Sequence, residues 1–396
     1  MDAVNGGDTD NEKMALLAYE TYVMVEEMLF DIVDRKWMSP DSKLILLGGI
    51  MINMDGDAPD LFLPLNFESI SGDGEHTYLM EKVFGADQAD HAVKATPMRK
   101  CEKGDNKNDL VNKCIPCKPT EDCGLMTAAQ KASLAVNFPK AMNGRELEQM
   151  VYQKLAEHGV NPTNTVLTQS SCPDELNHDE FSQDLSQIMG NRWGEVFHLG
   201  GLAGIPFTGL TGWGAFSHHV PKDGNIIVLL APHVGLTEEG GVGKVHRHGQ
   251  DHSTSACGAA VGAYNLLKKD PTANTRTNEN DFQQDYIVKA LAPHMEEILA
   301  ASGVNARQTL LANKMHDIAS QFLDEIVDLK WMGPNSKLVI LSGLMINVDG
   351  ASADVFEPLS FTIQGKDGKK TDMTENFSQG LVWSADKIIQ TPLFAK

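Results

Sequence analysis

A segment that occurs twice sets the first limit on how this chain folds. WMSPDSKLILLGGIMINMDG, from Trp37 to Gly56, returns as WMGPNSKLVILSGLMINVDG, from Trp331 to Gly350, with thirteen of twenty positions identical. The match extends backwards, DIVDRK against EIVDLK, and forwards, LFLPLNFESISGDG against VFEPLSFTIQGKDG. Roughly residues 14–85 therefore copy residues 308–379 at an offset of 294. Repetition of this kind signals one supersecondary unit used twice. Each copy reads as a long helix with apolar residues at i, i+3 and i+4, a Pro-containing turn, and a buried strand (KLILLGGIMI or KLVILSGLMI). A further hairpin or strand pair follows, with Asp55-Gly56 and Asp349-Gly350 as turn signals. A unit of about 75 residues buries little surface alone. Each copy is therefore expected to be a structural subdomain packed on something larger, with no catalytic set of its own.

The 396 residues have room for two or three packed units. Residues 1–90 read as a copy of the C-terminal subdomain of a preceding repeat, 91–125 as a Cys-containing linker, 126–300 as an unduplicated core, and 301–396 as the C-terminal subdomain. Tandem homologous domains, with this chain beginning inside one of them, are the simplest account. The first residues are acidic and polar, unlike a signal or transit peptide. No apolar run reaches the roughly 18 residues that span a bilayer, so no membrane insertion is expected. With 33 basic and 54 acidic residues the net charge is −21, which argues against a nucleic-acid surface.

The linker carries Cys101, Cys114, Cys117 and Cys123. Cys114 and Cys117 form a CxxC, a spacing that suits zinc or a redox pair. Cys101 and Cys123 make no second knuckle, so disulfides or free thiols are the favoured reading there.

From Gln169 onward Gly, His and Cys become dense: QSSCPDE, HLGGLAGIPFTGLTGWGAFSHHVP, IIVLLAPHVG, GGVGKVHRHGQ and SACGAAVGAY. Such glycines let backbones approach closely around a buried site. The strand IIVLLAP is continuously apolar, as a strand covered on both faces is. His233 lies just past its end, where α/β folds place ligands. Cys172, His233 and Cys257 together make a soft donor set that selects Zn²⁺ over Mg²⁺ or Ca²⁺. They lie about 60 and 24 residues apart, so they converge only if the fold brings strand ends and a helix start together. Three protein ligands leave a fourth position for water, whose pKa zinc lowers to about 7. Cys257 opens a candidate helix whose dipole favours a thiolate.

Asp174 is placed to accept a hydrogen bond from that water, which requires an ionised carboxylate and a nearby arginine. Arg247 is the first choice and Arg192 the second. His198, His218, His219, His246, His248 and His252 read as surface or satisfied polar residues, or as a proton shuttle if one lies close. Phe207 and Trp213 are candidates for an apolar wall, although plain packing is the commoner role of such rings.

The run CPDE … HLGGLAGIPFTGLTG … AFSHHVPKDG … APHVG … HRHGQ … ACGAA resembles the Cys-Gly-His-rich domain of the limiting-CO2-inducible protein B and θ-type carbonic anhydrase family. The resemblance covers about residues 126–396, and the N-terminal copy resembles the family's C-terminal part again. It implies an α/β fold similar to β-carbonic anhydrases: a central, mostly parallel sheet flanked by helices, with the duplicated subdomain at each end. It also implies zinc held by Cys172, His233 and Cys257, and Asp174 as the Asp of an Asp–Arg dyad. β-class enzymes keep that Arg two residues after the Asp, where this chain has Leu176, so the resemblance leaves the partner open between Arg247 and Arg192. The implied reaction is reversible hydration of CO2 to bicarbonate. The alternative is a non-catalytic, zinc-stabilised scaffold that binds CO2 or bicarbonate in an algal CO2-concentrating mechanism. A homodimer or an intramolecular pseudo-dimer is expected, in a chloroplast or another plastid compartment.

Overall fold

The computed structural model describes residues 9–32, 38–39, 41–54, 60–80, 93–94, 126–177, 185–247, 250–278, 280–350 and 354–377. Cys101, Cys114, Cys117, Cys123 and His248 lie outside the described residues, as does most of the linker. The chain divides into two units, residues 1–111 and 112–396.

In the first unit, helix α1 (Asp10–Ile32) precedes β1 (Lys43–Ile52), β2 (Leu61–Ser71), β3 (His76–Tyr78) and β4 (Val93–Lys94). β1 runs antiparallel to β2, and β3 and β4 both pair with β2. The register shifts at Gly48/Gly49, where a Cβ on Gly49 would lie 2.2 Å from the Leu63 carbonyl oxygen. The expected burial of β1 is not found. Ile45, Leu47 and Met51 are exposed, because the apolar strand pattern is present but none of the described residues of this unit covers that face.

The second unit begins with α2 (Ala128–Asn137), started by a capping box between Thr127 and Gln130, the T-x-x-Q spacing that satisfies two free N–H groups. Then come β5 (Met142–Asn143), α3 (Gly144–Glu157), β6 (Thr165–Ser171), α4 (Leu185–Trp193), β7 (Val196–His198), α5 (Gly209–Ser217), β8 (Asn225–Ala231) and β9 (His233–Leu236). The ribbon β10 (Lys244–His246) and β11 (Ser253–Ser255) leads to α6 (Gly258–Lys269), α7 (Phe282–Leu291), α8 (Met295–Ala300) and α9 (Val304–Ile326). β12 (Lys337–Val348), β13 (Val355–Gly365) and β14 (Lys370–Asp372) close the described chain.

The central sheet has the order β14-β13-β12-β8-β6-β7, with β9 continuing beside β12 and β5 beside β13. β12, β8, β6 and β7 are mutually parallel, while β13 and β14 add an antiparallel edge. β8 is buried along its whole length, as its unbroken apolar sequence requires. One apolar layer joins α6, α7 and α9 to one face, through residues such as Ile226, Val228, Ala263, Leu291, Met315 and Leu338. The other face carries α3 and α4 through Leu147, Val151, Met189, Val339 and Leu341.

A division at residue 300 is absent from this fold. β12 of the second repeat copy pairs with β8 over Leu338–Ser342 and with β9 over Met345–Val348, so the C-terminal hairpin is part of the central sheet. A strand this apolar is most stable between two others, and the core supplies the missing neighbour.

Candidate metal centre

The carboxyl ends of β6 and β8 and the start of α6 meet at one place. Cys172 follows β6, His233 follows the Pro232 break between β8 and β9, and Cys257 is the N-cap of α6. Their ligand atoms lie within 4.8 Å of one another, and all three residues are buried. Gly200 permits this convergence: a Cβ there would sit 2.1 Å from the Ser171 carbonyl oxygen, so only glycine lets the segment after β7 cross the end of β6. Gly235 does the same for the β10 ribbon, since its Cβ would lie 2.4 Å from the Lys244 carbonyl oxygen.

The electrostatics fit a cation site. Cys172 is lowered to about 4, first because the Cys257 thiol donates to its sulfur, with the His233 ring and the Asp174 backbone N–H adding to the effect. Cys257 is raised well above the ordinary thiol value, because it shares its proton with Cys172 and is buried. Burial pushes His233 down, but its contact with the Cys172 sulfur outweighs this and holds the ring above its ordinary value. The trio thus shares protons that a divalent cation would displace.

His233 Nδ1 lies 2.8 Å from Asn347 Oδ1, while its Nε2 is buried without a hydrogen-bond partner. Asn347 Nδ2 donates to Asp354 Oδ2 at 2.9 Å and reaches Asn177 Oδ1 at 3.3 Å. These contacts leave Oδ1 to accept from Nδ1–H, which aims the Nε2 lone pair toward the two sulfurs. This is the outer support typical of metal-bound histidines, and an orphaned buried nitrogen facing two sulfurs fits zinc. Asn347 belongs to the second repeat copy. That copy is therefore more than a structural subdomain, which its single amide among LMINV residues did not advertise.

Asp174 Oδ2 accepts from Arg247 Nη2 at 2.8 Å, with both side chains largely buried. The same nitrogen also reaches the carbonyls of Ser255 and Ala256, at 3.1 and 3.0 Å, and Nε meets Glu175 Oε1 at 3.2 Å. Arg192 is elsewhere: it pairs with buried Glu148 and lies 4.3 Å from the centre of the Tyr152 ring. The Leu176 N–H donates to Asp174 Oδ1.

The expected aromatic wall is not there. Trp213 is core, its Nε1 donating to the Asp328 carbonyl, and Phe207 packs on Phe282, Tyr286 and Phe322. A small cavity beside His233 and Cys257 is instead lined by aliphatic residues such as Val234, Val261, Leu311 and Met315. His198, His218, His219, His246 and His252 are exposed, His219 against Phe197 and His252 beside Asp251. Among the described residues no helix is long and apolar enough to cross a membrane.

The family model for limiting CO2-inducible proteins B/C beta carbonic anhydrases matches residues 141–365, more than half of the chain. The chain belongs to this family. The chain is similar to the crystal structure of PtLCIB4, a homolog of the limiting CO2-inducible protein LCIB. The TM-score is 0.56 at 30% identity, covering 61% of this chain and 98% of that one. A mutant of PtLCIB4 matches with TM-score 0.56 at 28% identity, over 61% and 97%. No curated protein is similar enough to count as a match. The family's match spans the core together with β12 and β13, in agreement with one continuous sheet rather than two bodies.

Proposed function

We propose that this chain is a zinc-dependent carbonic anhydrase that interconverts CO2 and bicarbonate. The carrying observation is the buried Cys172–His233–Cys257 cluster with the Asp174–Arg247 pair beside it. Cys172, His233 and Cys257 would hold the ion, and Asn347 would fix the histidine's tautomer. A zinc ion held by three ligands supplies a water nucleophile at neutral pH.

The chain's own residues do the rest. Arg247 anchors Asp174 through the 2.8 Å hydrogen bond from Nη2 to Oδ2. Asp174 then accepts a hydrogen bond from a proton-bearing group in its neighbourhood and orients it. The two backbone carbonyls on Arg247 fix the guanidinium, so the carboxylate stays put during the reaction. The aliphatic cavity suits CO2, which is apolar overall, better than a charged substrate. His246, exposed and next to Arg247, is the proposed proton carrier to solvent.

Stopped-flow CO2 hydration with and without a chelator tests this reading. Metal-dependent turnover is the expected result. Asp174→Asn should retain zinc and lose at least about tenfold in rate, as general acid–base and positioning groups do. Bound zinc without turnover would instead favour the non-catalytic scaffold.

A further inference from the structure

The two repeat copies are equivalent in fold, but among the described residues only the second is covered. Helices α1 and α9, and strands β2 and β13, have identical bounds at the offset of 294, and both hairpins carry their register shift at the same place, Gly48/Gly49 and Ser342/Gly343. In the second copy, β12 pairs with β8 and β9, and its outer face lies under α3 and α4. In the first, β1 has no second strand partner among the described residues. The consequence shows position by position. Ile45, Leu47 and Met51 are 53%, 54% and 55% exposed, whereas their equivalents Val339, Leu341 and Met345 are at 0%, 0% and 1%. On the helix, Leu17 is 47% exposed and its equivalent Leu311 3%.

A second observation points the same way. In the second copy Asp354 accepts from the Val348 N–H and from Asn347, the residue on His233 Nδ1. The first copy repeats both residues as Asn53 and Asp60, and Asp60 accepts from the Met54 N–H at 2.9 Å, as Asp354 does from Val348. Asn53 itself is exposed. Where the hairpin meets its own helix the copies have diverged: His316 bonds Ser342 in one, while Tyr22 covers Gly48 in the other. The first copy has thus changed inside and kept its outward-facing apolar positions and its Asn–Asp pair.

We propose that the N-terminal unit is a docking half for a second Cys-Gly-His-rich core, of the kind residues 126–300 form, that lacks a β12–β13 hairpin of its own. β1 takes the β8–β9 edge of that core, the Ile45–Leu47–Met51 face takes its α3–α4 layer, and Asn53 takes the Nδ1 of its ligand histidine. The Asn53 assignment rests on the metal-centre reading above, whereas the docking does not.

The test co-produces a tagged wild-type chain with an untagged full-length partner carrying Ile45→Asp, Leu47→Asp, Val339→Asp and Leu341→Asp. This partner keeps the sequence of residues 126–300 but has no competent hairpin in either copy. The wild-type chain is expected to capture the partner, or to bring it into solution if it is insoluble alone, at least tenfold better than a tagged Ile45→Asp/Leu47→Asp chain does. A tagged Asn53→Leu chain should capture equally well, with zinc falling from two per pair towards one. Equal capture by the Ile45→Asp/Leu47→Asp chain, or no capture or rescue by wild type, overturns the proposal. Capture without zinc in either chain leaves the docking intact and removes the metal-centre reading.

Discussion

Around His233, the group with the clearest consequence is Asn347, because it supports the ring without being a ligand. Replacing Asn347 by Leu keeps the volume and both sulfurs but frees Nδ1, and loss of such outer support costs about 10–100-fold in metal affinity. Competition against a chromogenic chelator reads this directly; unchanged affinity would mean that packing alone orients the ring. Glu357 gives a prediction in pH. It is buried, its Oε2 has no hydrogen-bond partner among the described residues, and burial raises its carboxyl from 4.5 to about 7, against the opposing Lys140 backbone N–H. The folded state thus holds the proton more tightly than the unfolded chain, so stability falls as pH rises between these values. Glu357→Gln removes the ionisation. It should flatten urea-unfolding stability across that window and be more stable than wild type above pH 7, by at most about 3 kcal/mol. The three members of the cluster were legible in the sequence because Cys and His carry coordination chemistry in their residue type, and Arg247 because it stood in the His-rich run KVHRHGQ. Asn347 was not, since one amide in an apolar strand has the same sequence signature whether it orients a ligand or satisfies a backbone group.

Among the secondary-structure elements, β1 and β12 form a natural control pair, with nearly the same sequence in different surroundings. Leu341 is fully buried and Leu47 about half exposed. Leu341→Ala should cost about 2–5 kcal/mol in chemical denaturation, the range for a buried leucine. Leu47→Ala should change stability by no more than about 0.5 kcal/mol, as surface substitutions do. Similar costs at both sites would show that the first face is covered in solution. The helix–turn–strand–hairpin order of each copy was readable from periodicity and turn residues. Burial was not, because an alternating or continuous apolar pattern states what a strand can bury and not whether a neighbour exists. For the same reason the place of β12 in the central sheet is not readable from local pattern: it pairs with strands that precede it by more than a hundred residues, and local pattern holds no trace of a parallel partner.

For the whole molecule, a metal at the centre would tie three distant stretches of the second unit together and leave the first unit untouched. Calorimetry with and without a chelator should therefore move the unfolding transition of residues 112–396 alone. Saturating zinc at a hundred times its dissociation constant adds about 2.7 kcal/mol if the unfolded chain binds none. A shift in both transitions would mean that the ion sits elsewhere or that the units unfold together. The parallel sheet also has a consequence in time. His233 is braced by Asn347, 114 residues further along, and β12 lies in the middle of the sheet although it is nearly the last strand to be made. During synthesis Cys172, His233 and Cys257 leave the ribosome well before the amide that braces His233, so the cluster takes its final form only when translation is almost complete.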